Sequence, residues 1–171
     1  FLNKKFLIIA NAAFTVLNFR RELIISLLDK DHEVVVICPE KSDLDININA
    51  KTEFNSLGIK FIPINFSRSG TNPLGDIKLF FNLLDAIRKV GPDIVLNYTI
   101  KATIYGSIAS YFCGVKKISS NITGLGYTFT NKSLKAGLVK QVVSLLYKIA
   151  LGLNSIVFFQ NKDDMQLFKR I

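Results

Sequence analysis

Six short apolar runs punctuate the chain: KFLIIA (5–10), EVVVIC (33–38), IKFIPI (59–64), DIVLNY (93–98), KKISSN (116–121) and SIVFFQ (155–160). Their Val, Ile, Leu and Phe residues run on continuously instead of alternating with polar ones, which marks strands covered on both faces, as in a parallel sheet. Between them lie amphipathic segments with apolar positions three or four apart: 18–30 after a turn at Asn11 to Leu17, then 47–57, 74–90, 101–113 and 134–152, with another starting after Asn161. Gly58, Gly91-Pro92 and Gly114 stand where helix C-termini are expected. This βαβ repetition predicts an α/β domain with a doubly wound, mainly parallel Rossmann-like sheet and helices on both faces.

Two segments stand apart from that rhythm. NFSRSGTNPLGD, 65–76, is long and rich in Gly, Ser, Asn and Pro, so it is either a mobile surface excursion or a functional loop. LKAGLVKQVVSLLYKIALGL, 134–153, is the most apolar helix, yet Lys135, Lys140, Gln141 and Lys148 interrupt it. Those polar residues argue against a transmembrane span, leaving a buried domain helix, the favoured reading, or an interfacial one.

Composition narrows the partners. A chain of 171 residues fits one domain, 1–171, with a core that needs no disulfide or metal. Hydrophobic residues make up 49% and the mean hydropathy is +0.31, so either the core is extensive or apolar surface meets a partner. The 22 Lys and Arg against 13 Asp and Glu give +9, a surface that attracts phosphates. The lysines are scattered, and no nucleic-acid-binding pattern accompanies them, so nucleic acid is set aside in favour of anionic lipid and phosphorylated small molecules. Cys38 and Cys113 lack C-x-x-C spacing, which suits a reducing compartment and offers no metal site. His32 is the only histidine and reads as structural, so a Ser-His-Asp triad has little to work with. FLIIA is too short to span a membrane and lacks the layout of a signal peptide.

In open α/β sheets the ligand crevice lies beyond the carboxyl ends of the strands, and the residues there are the candidates. After the first strand, Asn11, Ala12 and Ala13 are small enough for close backbone approach to a ligand, but the pyrophosphate glycines are missing. After the fourth, Asn97, Thr99 and Lys101 stand at the mouth of the crevice. Lys101, in the first turn of a helix, opposes the macrodipole and either answers an anionic ligand or points to solvent. After the fifth comes NITGLGYTFTN, 121–131. There Phe129 replaces the third glycine of a dinucleotide loop, and the strand is the wrong one. Gly124 and Gly126 make either a structural turn or a sharp loop whose backbone N–H groups face the crevice. In the second case Thr123 and Tyr127 can bond a sugar or phosphate.

The stretches 4–39, YTIKATIYGSIASYFCGVKKISSNITGLGYTF (98–129) and SIVFFQNKDD (155–164) resemble the N-terminal domain of family-four bacterial glycosyltransferases. These extend polyprenyl-diphosphate-linked sugars for capsule, O-antigen or glycoprotein glycans. The segment 98–129 is the specific part. The resemblance implies a GT-B architecture, in which an N-terminal domain holds the acceptor and a C-terminal one the nucleotide-sugar, with the active site between. Carried onto this sequence, substrate-binding candidates are Asn11, Ala12 and Phe14 after the first strand and Thr123, Gly124, Leu125, Gly126 and Tyr127 after the fifth, with Thr99 and Lys101 nearby. Many relatives place a histidine in the loop after the fifth strand. Here Ile122-Thr123 precede the glycine.

The resemblance implies transfer, with retention and without metal or other cofactor, from a nucleotide-sugar, a UDP-sugar by expectation, to a lipid-linked acceptor. It places the protein in the cytoplasm, peripheral on the anionic inner face of the membrane. The donor-side E-x-seven-E motif does not occur before the chain stops at DMQLFKRI. The chain therefore reads as one domain without its donor-binding partner domain, and is expected to transfer no sugar alone. No residue stands out as a nucleophile. Two alternatives remain: a non-catalytic Rossmann-type module binding nucleotide or lipid, and an epimerase-like hydrolase of UDP-sugars.

Overall fold

The computed structural model describes residues 3–45, 48–66, 72–123 and 134–169, the side chains of 134–140, 167 and 169 excepted. The strands are β1 (Lys5–Ile9), β2 (Glu33–Cys38), β3 (Lys60–Pro63), β4 (Ile94–Tyr98), β5 (Lys117–Ile122) and β6 (Ile156–Phe159). All neighbours pair in parallel, in the order β3-β2-β1-β4-β5-β6. That is the doubly wound order, and the chain reverses direction across the sheet between β1 and β4. Each strand end falls within one residue of the sequence expectation.

The continuous apolar runs follow from burial on two sides. Leu7, Ile9, Val35, Ile37 and Val95 face α4 (Pro73–Val90) and α5 (Ser107–Phe112). Ile8, Val34, Val36 and Cys38 face α1 (Ala13–Phe19), α2 (Arg21–Leu28) and α3 (Ala50–Ser56). Fully burying each such aliphatic side chain contributes about 1.5–3 kcal/mol. Local chemistry fixes the helix ends. The Asn72 side chain accepts from the Gly75 N–H at 3.2 Å, Pro73 opens α4, and Gly91 closes it at φ 58°, a left-handed conformation that suits glycine.

Three features differ from the sequence reading. Residues 11–17, read as a turn, already hold most of α1, because the Asp45 carboxylate reaches across to accept the Phe14 N–H at 2.7 Å. The same carboxylate accepts from Ser42 Oγ at 2.6 Å, so a cap distant in sequence starts the helix earlier than local residues imply. Second, the segment after β4 begins with a π-helical turn, Ala102–Gly106, before continuing as α5. Third, over its described side chains, 141–152, α6 (Leu134–Gly152) is buried along one stripe only. Tyr147 is sealed against β6 and α7 (Lys162–Lys169) and Ala150 is fully buried, while Val142, Leu145 and Ile149 face outward.

The π-helical turn sits over a buried polar cluster. Asn97 Nδ2 donates to Ser107 Oγ at 3.1 Å and lies 3.5 Å from Ser120 Oγ, and Asn154 Nδ2 donates to Ser107 Oγ at 2.9 Å. Gly106 packs directly on the Asn97 side chain, leaving no room for a Cβ. The cluster therefore ties β4, α5, β5 and the end of α6 together beside the point where the sheet changes direction.

Candidate functional site

At the carboxyl edge of the sheet, over the β1/β4 switch point, lies a cavity of about 330 Å³. Ala10 forms its wall at the end of β1, Tyr98 and Thr99 at the end of β4, Thr123 after β5 and Gln160 after β6. Thr15, Val16 and Phe19 of α1 and Arg20 complete it. Four strand ends thus converge on one space, as the crevice rule requires.

Its chemistry is concentrated at three residues. Thr99 has φ 79°, an outlier for a β-branched side chain, and its Oγ1 is buried without a hydrogen-bond partner. Arg20 holds its guanidinium 4.3 Å from the centre of the Tyr98 ring, a cation–π contact. Burial holds the Tyr98 phenol protonated above its ordinary 10.0, although the Arg20 charge pulls the other way. Among the described residues the lining contains no carboxylate, so the Arg20 charge is uncompensated there. Hydroxyls, an amide and one guanidinium can bind and orient a polyhydroxylated or phosphorylated molecule; among the described lining residues no base stands by to activate a hydroxyl.

Of the residues singled out from sequence, Thr99 and Thr123 come together in this cavity. Asn11, Ala12 and Phe14 sit just behind it at the start of α1. Asn11 is buried with Oδ1 unpartnered, Ala12 O accepts from Thr15 Oγ1 at 2.8 Å, and the Phe14 ring meets Phe19 edge-on at 6.1 Å. Because Asp45 already occupies the Phe14 N–H, that backbone donor is satisfied from within the protein. Gly124, Leu125, Gly126 and Tyr127 lie outside the described residues.

Lys101 belongs to a second, larger cavity of about 590 Å³ between the end of β3 and α4. There its Nζ donates to Asp76 Oδ1 at 2.6 Å, with both side chains largely buried. The ion pair answers the question its helix position raised, since an internal carboxylate offsets the unfavourable macrodipole. Burial, with Asp76 adding to it, pushes the Tyr105 phenol up. This cavity carries charges of both signs, Asp76 and Asp85 against Lys78, Lys89 and Lys101, whereas the smaller one carries a single sign at the switch point. The smaller is therefore the better candidate.

Sequence reasoning missed Arg20. The signal existed: Ala13, Val16, Leu17, Ile24 and Leu27 form the inward stripe of the first two helices, and position 20 falls on that stripe. An arginine there needs a reason.

Comparison with known proteins agrees with this architecture. The sequence profile of the glycosyl transferase 4-like family matches residues 5–161. Over 163 residues the chain is 25% identical to the N,N'-diacetylbacillosaminyl-diphospho-undecaprenol alpha-1,3-N-acetylgalactosaminyltransferase of Campylobacter jejuni subsp. jejuni serotype O:2, covering 95% of this chain and 42% of that protein. MurG of Acinetobacter baumannii superposes with a TM-score of 0.61 at 10% identity, over 94% of this chain and 42% of that one. The UDP-GlcNAc 2-epimerase of Methanocaldococcus jannaschii gives 0.54 at 16%, over 97% and 42%. The chain thus spans about two fifths of the length of each, and the structural likenesses show a shared fold.

Proposed function

Since the chain belongs to the glycosyl transferase 4-like family, we propose that the intact protein moves a sugar, with retention, from a UDP-sugar to a polyprenyl-diphosphate-linked glycan of a surface polysaccharide or glycoprotein. In this reading the present domain holds the acceptor. The observation that carries it is the switch-point cavity, where Thr99, Thr123, Gln160 and Arg20 offer sugar- and phosphate-binding groups and, among the described lining residues, no base stands by to activate a hydroxyl. The domain's contribution is positional: fixing the acceptor hydroxyl against the donor turns an encounter of two molecules into a step within one complex. The relative in C. jejuni, whose name specifies an undecaprenol-diphosphate-linked substrate, supports the choice of acceptor.

The test incubates the intact protein with a panel of UDP-sugars, with and without an undecaprenyl-diphosphate-linked saccharide, and follows UDP release and the mass of the lipid-linked product. Acceptor-dependent UDP release with a product heavier by one sugar is expected. UDP released equally without acceptor would point to hydrolysis and overturn the reading.

The proposal extends to the membrane. On α4, Leu74, Ile77 and Phe81 are exposed at i, i+3 and i+7, with Lys78 on the same face. The Phe80 ring contacts Phe81 and also Phe112, which in turn meets Tyr111, so the apolar strip continues onto α5. Among the described residues no helix is long and apolar enough to cross a membrane. The occupant that fits exposed aromatics on a chain of charge +9 is an anionic leaflet, which attracts each nearby Lys or Arg by about 1 kcal/mol. The protein is expected to float with vesicles containing phosphatidylglycerol and not with pure phosphatidylcholine. Phe81→Ser with Phe112→Ser is expected to abolish flotation, and equal flotation on both vesicle types would refute the extension.

A further inference from the structure

We infer that Arg20 is the group by which the switch-point crevice takes hold of a diphosphate, an inference that rests on the sugar-transfer reading of that site. Position 20 lies on the core-facing stripe, where an apolar side chain is the rule. The helix also breaks there, at φ −129° and ψ 3°, so α1 and α2 meet at Arg20 instead of running through it. An arginine that interrupts both a stripe and a helix contributes little to packing that a leucine would not.

Among the described residues its charge has no carboxylate partner. Lys4, Lys5, Lys89 and Lys101 each stand between 2.6 and 3.2 Å from a carboxylate. Among the described residues Arg20 faces none; an Nη donates to the Phe19 carbonyl at 2.7 Å, and the guanidinium also hydrogen-bonds the Tyr98 phenol oxygen. A guanidinium has five donors in a fixed planar fork that matches two oxygens of one phosphate. The Tyr98 ring, 4.3 Å away, and the Phe19 carbonyl together orient that fork. Beside it, Thr99 holds a strained backbone and carries a buried hydroxyl without a partner. A half-buried cation with no carboxylate beside it, set among neutral polar groups, suits an anion. Two diphosphates meet in the proposed reaction, that of the nucleotide and that of the lipid-linked acceptor, and both present the same oxyanion chemistry.

The experiment uses the intact protein and calorimetric titration with inorganic pyrophosphate, UDP, farnesyl diphosphate and, as the uncharged control, farnesol. Arg20→Gln is expected to bind diphosphates about 10- to 100-fold more weakly, as loss of charge-assisted hydrogen bonds implies, with Arg20→Lys intermediate. Arg21→Gln, on the exposed side of α2, is expected to bind as wild type. Weakening confined to UDP assigns the donor's diphosphate, and weakening confined to farnesyl diphosphate assigns the acceptor's. Unchanged binding of all three phosphorylated probes by a folded Arg20→Gln overturns the inference. Should that variant fail to fold, phenylglyoxal labelling of wild type replaces it: pyrophosphate must slow modification of Arg20, and undiminished labelling overturns the inference equally. Failure of the parent reading is separable. Diphosphate binding that depends on Arg20 without sugar transfer by wild type refutes only the transferase reading, while transfer with Arg20-independent binding refutes only this one.

Discussion

Replacing Gly106 by alanine pits two effects against each other, and the structure decides which wins. Inside a helix the exchange should stabilise by about 1 kcal/mol, because alanine loses less backbone freedom on folding. At this position, however, a Cβ would overlap the Asn97 Oδ1 and lie 3.1 Å from its Cγ and 3.2 Å from Ile9 Cδ1. Asn97 is fully buried and cannot swing away without loosening its bond to Ser107 at 3.1 Å. Overpacking of this kind costs about 1–3 kcal/mol, and a buried amide left without its partner costs a further ~1–3. Against the ~1 kcal/mol gain, the net is a loss of about 3 kcal/mol, or on the order of 6–12 °C in Tm for a chain this long. Urea unfolding followed by far-ultraviolet circular dichroism measures it, with the slope expected to stay constant. A double-mutant cycle isolates the cause. In an Asn97→Ala background the overlapping oxygen is gone, so Gly106→Ala should cost at least 1 kcal/mol less, a coupling expected between contacting residues. A Gly106→Ala protein as stable as wild type, or an equal cost in both backgrounds, would show that the π-helical turn does not depend on this contact.

Three further outcomes follow from the same geometry. Asp45→Ala removes the acceptor for the Phe14 N–H and Ser42 Oγ and should destabilise by about 1.5–3 kcal/mol in the same unfolding assay, against no more than ~0.5 for a change at the exposed Asp43. Thr99→Gly relieves the positive φ and removes an unpartnered hydroxyl, so its Tm should match or exceed that of wild type while acceptor KM rises; a Tm loss above 5 °C would mean the site is not strained. Burial, with Asp45 adding to it, raises the Cys38 thiol above its ordinary 9.0, and burial raises the Tyr105 and Tyr147 phenols above 10.0. Groups whose folded pKa is raised stay protonated in the fold while the unfolded chain ionises, so stability is fully present below pH 9 and falls as pH climbs through 9 and then 10. Denaturation midpoints between pH 8 and 11 check this, and native iodoacetamide labelling at pH 8 should modify Cys113 well before the sealed Cys38.

The sheet was legible because its signal is local and redundant. EVVVIC and DIVLNY declare buried strands by composition alone, and Asn72-Pro73 with Gly91 brackets α4 as helix chemistry demands. What escaped was set by partners distant in sequence. Nothing near Ala12 announces a helix start there, since the cap comes from Asp45 through a loop 31 residues on. Nor does ATIYG announce a π-helical turn; here the partner is near in sequence, Asn97 on the preceding strand β4, but only the fold brings its side chain against Gly106. The mixed character of α6 was hidden in the same way. Hydrophobic residues on both of its sides look alike in sequence until the sheet covers only one.

The place of the candidate cavity was legible in the sequence but its arginine was not, and the reason is physical. The crevice rule points to strand ends, and Thr99 and Thr123 were found because they follow strands directly. Arg20 follows no strand. It reaches the crevice from a break between helices, and in a periodicity reading a single charge on a five-residue apolar stripe is averaged away as noise. Yet burying a cation has a cost that stability alone does not return. Lys101 recovers that cost from Asp76, whereas Arg20 meets the Tyr98 ring and the Phe19 carbonyl but, among the described residues, no carboxylate. The two cations differ in one physical respect: Lys101 is neutralised by a carboxylate inside the fold, and among the described residues Arg20 is not.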